Sequence, residues 1–235
     1  MSGERDLSPQ MGDEKMNTRI LIIGAGGIGG LLADHVTRAV AFSGLTEQIG
    51  WLEITVMDGD FVEERNLPHQ PFAGQNVGRS KASALLDHMT ETGFRNRGVT
   101  LVTLPVNFSK ETDLSKYDLV IVAVDRDEPR NLVHANAEQW LDLRARGDGF
   151  VMWSHNDDLR VLDNLPKLPE GTSTSCQLDG AVESGNIQFG FALAAAHGAQ
   201  WIIQWLRGAN VPVCRMYSAH MGELPLPMIS EEVME

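Results

Sequence analysis

Apolar and polar positions along this chain alternate between two periods. Residues 19–24 (RILIIG) are a short apolar run ending in glycine, which predicts a buried strand. The run leads straight into GAGGIGG, after which Ile28, Leu31, Leu32, Val36 and Ala39 recur at helical spacing. Residues 52–57 alternate and end at Asp58, predicting a second strand. Beyond a long polar stretch, Ser80 is placed to cap a helix with Ala82, Leu85, Leu86 and Met89 on one face. Residues 99–106 predict a third strand, and residues 118–124 (DLVIVAV) a fourth, apolar almost throughout, as strands buried on both faces are. Pro129 suits the first turn of the next helix, whose apolar side holds Leu132, Val133, Ala137, Trp140 and Leu141. Residues 149–153 predict a fifth strand. Residues 156–184 then read as a long loop, rich up to residue 180 in proline, glycine and hydroxyl side chains. Loops of that length inside a domain are functional or mobile. An alanine-rich, broad-faced helix is expected over residues 185–207, overlapping the loop's last residues.

Strands alternating with helices predict an α/β fold, a doubly wound, Rossmann-like, mostly parallel sheet in a single domain over residues 19–208. Residues 1–18 read as a mobile tail and residues 209–235 as a short mixed C-terminal segment. Ligands of such sheets bind beyond the carboxyl ends of the strands. Gly24, Asp58 and Asp125 each stand at or just after a strand end, so they are expected along one edge.

Composition narrows the function classes. The 235 residues suffice for one well-buried α/β domain. A formal net charge of −13 argues against nucleic acid or an anionic membrane as the main partner. It leaves room for a local basic pocket, because Arg65, Arg79 and Lys81 fall together. Two cysteines far apart, Cys176 and Cys214, suggest a reducing compartment. No apolar run reaches the ~20 residues of a membrane span; the most apolar segment is interrupted by His197 and Gln200. A cytoplasmic protein is the expectation.

The candidate chemistry begins with the G-x-G-x-x-G pattern of Gly24, Gly26 and Gly29 between a strand and a helix. It lets phosphates approach a helix N-terminus, where free N–H groups and the dipole favour an anion. Alone it favours a dinucleotide enzyme such as an NAD-dependent oxidoreductase, and glycine-rich turns also occur for packing alone; Asp58 suits a ribose hydroxyl in NAD or ATP alike. The residues after Asp58 are unlike those of a dehydrogenase: Asn66, Gln70, Arg79 and Lys81 crowd behind the ribose acid. Each also has a plain reading. Asp125 suits a helix cap, Lys81 a solvated helix start, Arg130 and Asn131 a helix surface, and His155, Asn156 and Asp157 a hydrated loop.

Four segments in order resemble the ThiF/MoeB/HesA superfamily, adenylating enzymes related to ubiquitin-activating enzymes: GAGGIGG at 24–30, DGDFVEERNLPHQ at 58–70, GRSKA at 78–82 and DRDEPR at 125–130. The resemblance spans residues 19–206. It implies ATP-dependent adenylation of the C-terminal carboxylate of a ubiquitin-like or sulfur-carrier protein, or a small peptide, by a homodimer. The nucleotide-binding residues it implies are Gly24, Gly26, Gly27, Gly29, Asp58, Asp60, Arg65, Gln70 and Arg79. The catalytic set is Asn66 and Lys81 on the phosphates, Asp125 carrying Mg²⁺, and Cys176 as a thiol acceptor. A carboxylate attacking a phosphate is a meeting of anions, so fixed positive charge and a metal suit the site. The chain also departs from the family. His69 stands where N-L-x-R-Q has arginine, and a neutral imidazole is no substitute for a guanidinium fork; Arg65 or Arg79 is the expected compensation. The N-terminal arginine segment and the paired C-x-x-C are missing, so no structural zinc is expected. A ThiF-like binding subunit without turnover is the alternative to an enzyme.

Overall fold

A computed structural model describes residues 17–158, 160 and 176–226. In chain order its elements are β1 (Thr18–Ile23), α1 (Gly27–Ala41), α2 (Leu45–Ile49), β2 (Leu52–Met57), α3 (Lys81–Thr90), β3 (Val99–Leu104), β4 (Leu119–Val122), α4 (Asp127–Asn136), β5 (Trp140–Arg146), β6 (Gly149–Ser154), α5 (Gly190–Leu206), β7 (Arg215–Ser218) and β8 (Gly222–Leu224). The strands form one eight-stranded sheet in the order β3-β2-β1-β4-β5-β6-β7-β8. β3, β2, β1, β4 and β5 run parallel. β6, β7 and β8 extend the sheet as antiparallel strands.

The sheet is covered on both faces, which is why its central strands carry apolar residues at nearly every position. Ile20, Ile22, Leu119, Ile121, Leu141 and Leu143 point to the face where α1, α3 and α5 pack. Leu21, Ile23, Val120, Val122 and Trp140 point to the other, against Val133 of α4. α1 and α5 lie directly against each other: a methyl group on Gly198 of α5 would stand 3.3 Å from a Leu32 methyl, and one on Gly27 3.1 Å from the Phe191 ring.

Several sequence expectations change. Trp140 and Leu141 belong to β5, not to the preceding helix. They fall at helical spacing from Val133 and Ala137, but α4 stops at Asn136 and Ala137 is already extended (φ −91°, ψ 136°). β5 alternates from Leu141 to Arg146, with Asp142, Arg144 and Arg146 between the apolar positions, but its apolar start continues the helical spacing and hides that alternation. The expected fifth strand is therefore the sixth, and it is antiparallel. α5 begins at Gly190 rather than 185, because the buried Gln177 side chain binds both the N–H and the carbonyl of Gln188. α2 and the β7–β8 hairpin were not anticipated. Most of the expected tail (1–16) and much of the expected loop (159 and 161–175) lie outside the described residues. Among the described residues no helix is long and apolar enough to cross a membrane.

Candidate functional site

The carboxyl ends of β1, β2, β4 and β5 face one edge, as parallel pairing requires, and the sequence-predicted residues collect there. Gly24 follows β1 with φ +103°, and a Cβ there would lie 2.6 Å from the Ala123 carbonyl oxygen. A Cβ on Gly29 would sit 1.9 Å from the Gly24 oxygen, so the first turn of α1 closes on the loop only with glycine. Gly26 differs: its nearest non-local neighbour is the Gln70 amide at 3.8 Å, leaving the backbone open to a ligand at the helix N-terminus. Asp58, just past β2, braces this loop. Its Oδ2 accepts from Ala25 N (2.6 Å) and its Oδ1 from Asp60 N (2.8 Å). Burial raises its pKa, against the pull of those N–H groups and of Lys81.

The polar stretch from Asp58 to Lys81 folds back on itself. Val62 N donates to Arg79 O, Gly78 N to Val62 O and Lys81 N to Asp60 O, each at 2.8–2.9 Å. This return brings Lys81 Nζ to Asp60 Oδ2 at 3.2 Å, with the lysine side chain 12% exposed. A cation in the first turn of α3 opposes the helix dipole, and Asp60 offsets that. Asn66 is buried and caps its own single-turn 3₁₀ helix, its Oδ1 accepting from Glu63 N. Next to it, His69 is 8% exposed with its ring edge toward Phe191, and its Nδ1 has no hydrogen-bond partner; neither has Gln70 Oε1. Desolvation, helped by the Lys81 charge, lowers the His69 pKa and keeps the ring neutral. Arg65 and Arg79, the expected stand-ins for the missing arginine, are engaged elsewhere. Exposed Arg65 pairs with Glu63 at 2.9 Å, and half-exposed Arg79 with Asp87 at 2.6 Å.

Asp125 is exposed beyond the end of β4. Its charge acts on Arg130 and on Cys176, and Lys81 acts on Cys176 as well, so these side chains share one corner of the edge. Arg130, read from sequence as helix surface, is instead buried (4% exposed) and pairs with Asp142 of β5, which is fully buried. The available signal was a cation at i−3 and i−4 from Val133 and His134, on the face α4 turns to the sheet. Cys176 is partly buried, and its carbonyl accepts from Gly147 N in the β5–β6 turn. Burial is the main cause that pushes its thiol pKa up to about 11, with Arg130 opposing, so the thiol is protonated at neutral pH. His155 and Asp157 serve the chain itself: Asp157 accepts from Ser154 and from Cys214 N.

A nucleoside triphosphate fits this arrangement: an open glycine cradle at a helix N-terminus, an acid after β2, a shielded lysine, and two buried polar atoms lacking partners. Among the described residues no cluster of three or more His, Cys, Asp or Glu is placed to cage a metal. One exposed carboxylate suits Mg²⁺ arriving on phosphates, which needs few protein ligands.

A model of the ThiF family matches residues 6–224. The probable adenylyltransferase/sulfurtransferase MoeZ of Mycobacterium tuberculosis is 31% identical over 179 residues, 71% of this chain and 43% of MoeZ. The ATP-dependent ubiquitin transferase-like protein Cap2 of Enterobacter hormaechei is 27% identical over 105 residues, 44% of this chain and 16% of Cap2. The chain thus spans less than half the length of these relatives. The microcin C7 biosynthetic enzyme MccB, in complex with N-formylated MccA, has the same fold, with a TM-score of 0.61 at 22% identity over 90% of this chain and 64% of MccB. E. coli MccB has also been solved with ATP, at a TM-score of 0.56, 23% identity and the same coverage of 90% and 64%.

Proposed function

The chain belongs to the ThiF family, and on that premise we propose that it is an ATP-dependent adenylyltransferase acting on the C-terminal carboxylate of a small carrier protein or peptide. The observation that carries this reading is the single edge on which the glycine cradle, Asp58, Lys81 and Asp125 converge. It is supported by relatives described as an adenylyltransferase, a ubiquitin transferase-like protein and an MccA-binding enzyme.

In this reading the carboxylate attacks the α-phosphorus of ATP, the bond to the β-phosphate oxygen breaks, and an acyl adenylate and pyrophosphate result. The N-terminus of α1 and the backbone at Gly26 receive phosphate oxygens. Asp58 takes the ribose hydroxyls through the lone pairs its two backbone donors leave. Lys81, kept from water and held by Asp60, supplies fixed positive charge where the two anions meet. Asp125 holds Mg²⁺, which when bound neutralises phosphate charge. His69 and Gln70 offer their unpartnered atoms to the same phosphates, and Asn66 holds their turn. Adenylation makes no use of Cys176, and transfer to that thiol would be a later step requiring its deprotonation. The protein acts in the cytoplasm as a homodimer, a state that sedimentation measures directly.

The test is equilibrium binding of ATP with Mg²⁺ against NADH, on wild type and on Asp125→Ala, followed by pyrophosphate exchange with candidate carriers. ATP binding without NADH binding, and a metal dependence lost in the variant, is the expected result. NADH binding instead would replace this reading with an oxidoreductase. ATP binding with no exchange for any carrier would leave a binding subunit.

A further inference from the structure

The hydrogen-bond ladders that hold β4 end before Asp125. The last register pairs are Ile23 with Val122 on one side and Val122 with Asp142 on the other, and the final backbone bond is Ala123 N to Ile23 O. On the far side of Asp125, α4 begins after its N-cap Arg126, which is extended (φ −121°, ψ 145°) and makes no side-chain cap. Between these ends the Val124 carbonyl, one peptide before Asp125, accepts a hydrogen bond from Arg130 Nη2. The same guanidinium bonds the Asp142 carboxylate through Nη1 and reaches Leu143 O at 3.3 Å. Asp142 is itself fixed, with its Oδ2 taking Arg144 Nη2 at 2.8 Å and His134 Nε2 lying 3.2 Å away.

We propose that Arg130 is the positioning residue of the Asp125 loop. From its buried anchor on β5 it sets the Val124–Asp125 peptide, and so the direction in which the Asp125 carboxylate meets the metal–nucleotide. This rests on the reading of Asp125 as the metal carboxylate. A buried ion pair by itself contributes little net stability against apolar replacements, so its placement under a catalytic loop calls for another role. The role needs a planar fork that spans a carboxylate and two carbonyls at once, which a lysine ammonium on a flexible stem does not reproduce. Burial, with the nearby Arg144 charge, pulls the Arg130 pKa down to about 9, which leaves it charged at neutral pH.

The experiment is calorimetric ATP binding in Mg²⁺ and in EDTA, on wild type, Arg130→Lys and the double variant Arg130→Met/Asp142→Leu. Wild type is expected to bind ATP more tightly with Mg²⁺. In Arg130→Lys that increment shrinks ~10-fold or more, as when a group supporting a metal ligand is lost, while the affinity in EDTA is unchanged. An equal loss in both buffers, or an intact increment beside a lower melting temperature, would make Arg130 a structural residue only and overturn the proposal. If Arg130→Lys does not melt cooperatively, the double variant decides, since apolar replacement of a buried ion pair is often neutral or stabilising and Arg144 keeps Asp127 within 3.7 Å: an intact increment there refutes the role. A wild type that binds ATP with no Mg²⁺ increment would instead refute the metal assignment to Asp125, and one that binds no ATP the adenylation reading.

Discussion

Gly26, the N-cap of α1, and Gly29, in its first turn, sit three residues apart and are required for different reasons. A methyl on Gly29 meets backbone, the Gly24 oxygen at 1.9 Å, which cannot rotate away. Gly29→Ala is therefore expected at or above the upper end of the usual overpacking cost, about 3 kcal/mol, in a denaturant melt. Gly26→Ala meets nothing closer than 3.8 Å, and its φ of −75° suits alanine. Its fold should hold while ATP binding weakens, by about 1.5–3 kcal/mol for a lost contact to a charged group. Cys176→Ser should leave pyrophosphate exchange unchanged, because the thiol, with its pKa raised to about 11, takes no part in adenylation. Arg65→Ala and Arg79→Ala remove exposed pairs and should each cost under about 1 kcal/mol of stability. The glycines and Asp58 were legible in the sequence because strand, turn and helix fix them locally. Arg130 was not, because the partner that buries it, Asp142, lies on another element and shows its use only once the sheet is assembled.

Among the elements, β5 shows why periodicity misled. From Leu141 on it alternates apolar and charged residues as a strand should, but its first two residues continued the spacing of α4 and hid where the strand begins. Burial rather than pattern decides its energetics. Trp140 is 3% exposed and stacked on His134 at 4.0 Å, so Trp140→Ala should cost about 3–5 kcal/mol in a urea melt. β1, α1, β2 and α3 were readable because each kept its own period, and Gly26 and Ser80 marked the starts of the two helices. The β7–β8 hairpin was not, since β8 spans just Gly222–Leu224 and its residues carry no run of their own.

For the whole molecule, buried and half-buried histidines shape the response to acid. Burial, with the Arg144 and Arg130 charges, lowers the His134 pKa to about 4, and desolvation lowers those of His69 and His197 too. Unfolded histidine titrates near 6.5. Between the two values the unfolded chain holds protons that the native one does not, so stability falls as pH drops from about 6.5 toward 4. Asp58, with its raised pKa, opposes this at the acid end. Thermal melts across that interval should show the slope, and His134→Phe, which keeps a ring against Trp140, should flatten it. The shared edge of Gly24, Asp58 and Asp125 was legible at this scale, because parallel pairing dictates it. The cover over the glycine helix was not, and it bears on how the protein is made. α1 starts at the glycine loop but lies against α5, whose Gly198 and Phe191 abut Leu32 and Gly27. On the ribosome, a chain that has already emerged past Asp125 holds the glycine loop, Asp58, Lys81 and Asp125 while one flank of α1 is still bare. Such distant pairing forms late. In the proposed reading, nucleotide binding therefore waits until α5 has been made and has docked on α1.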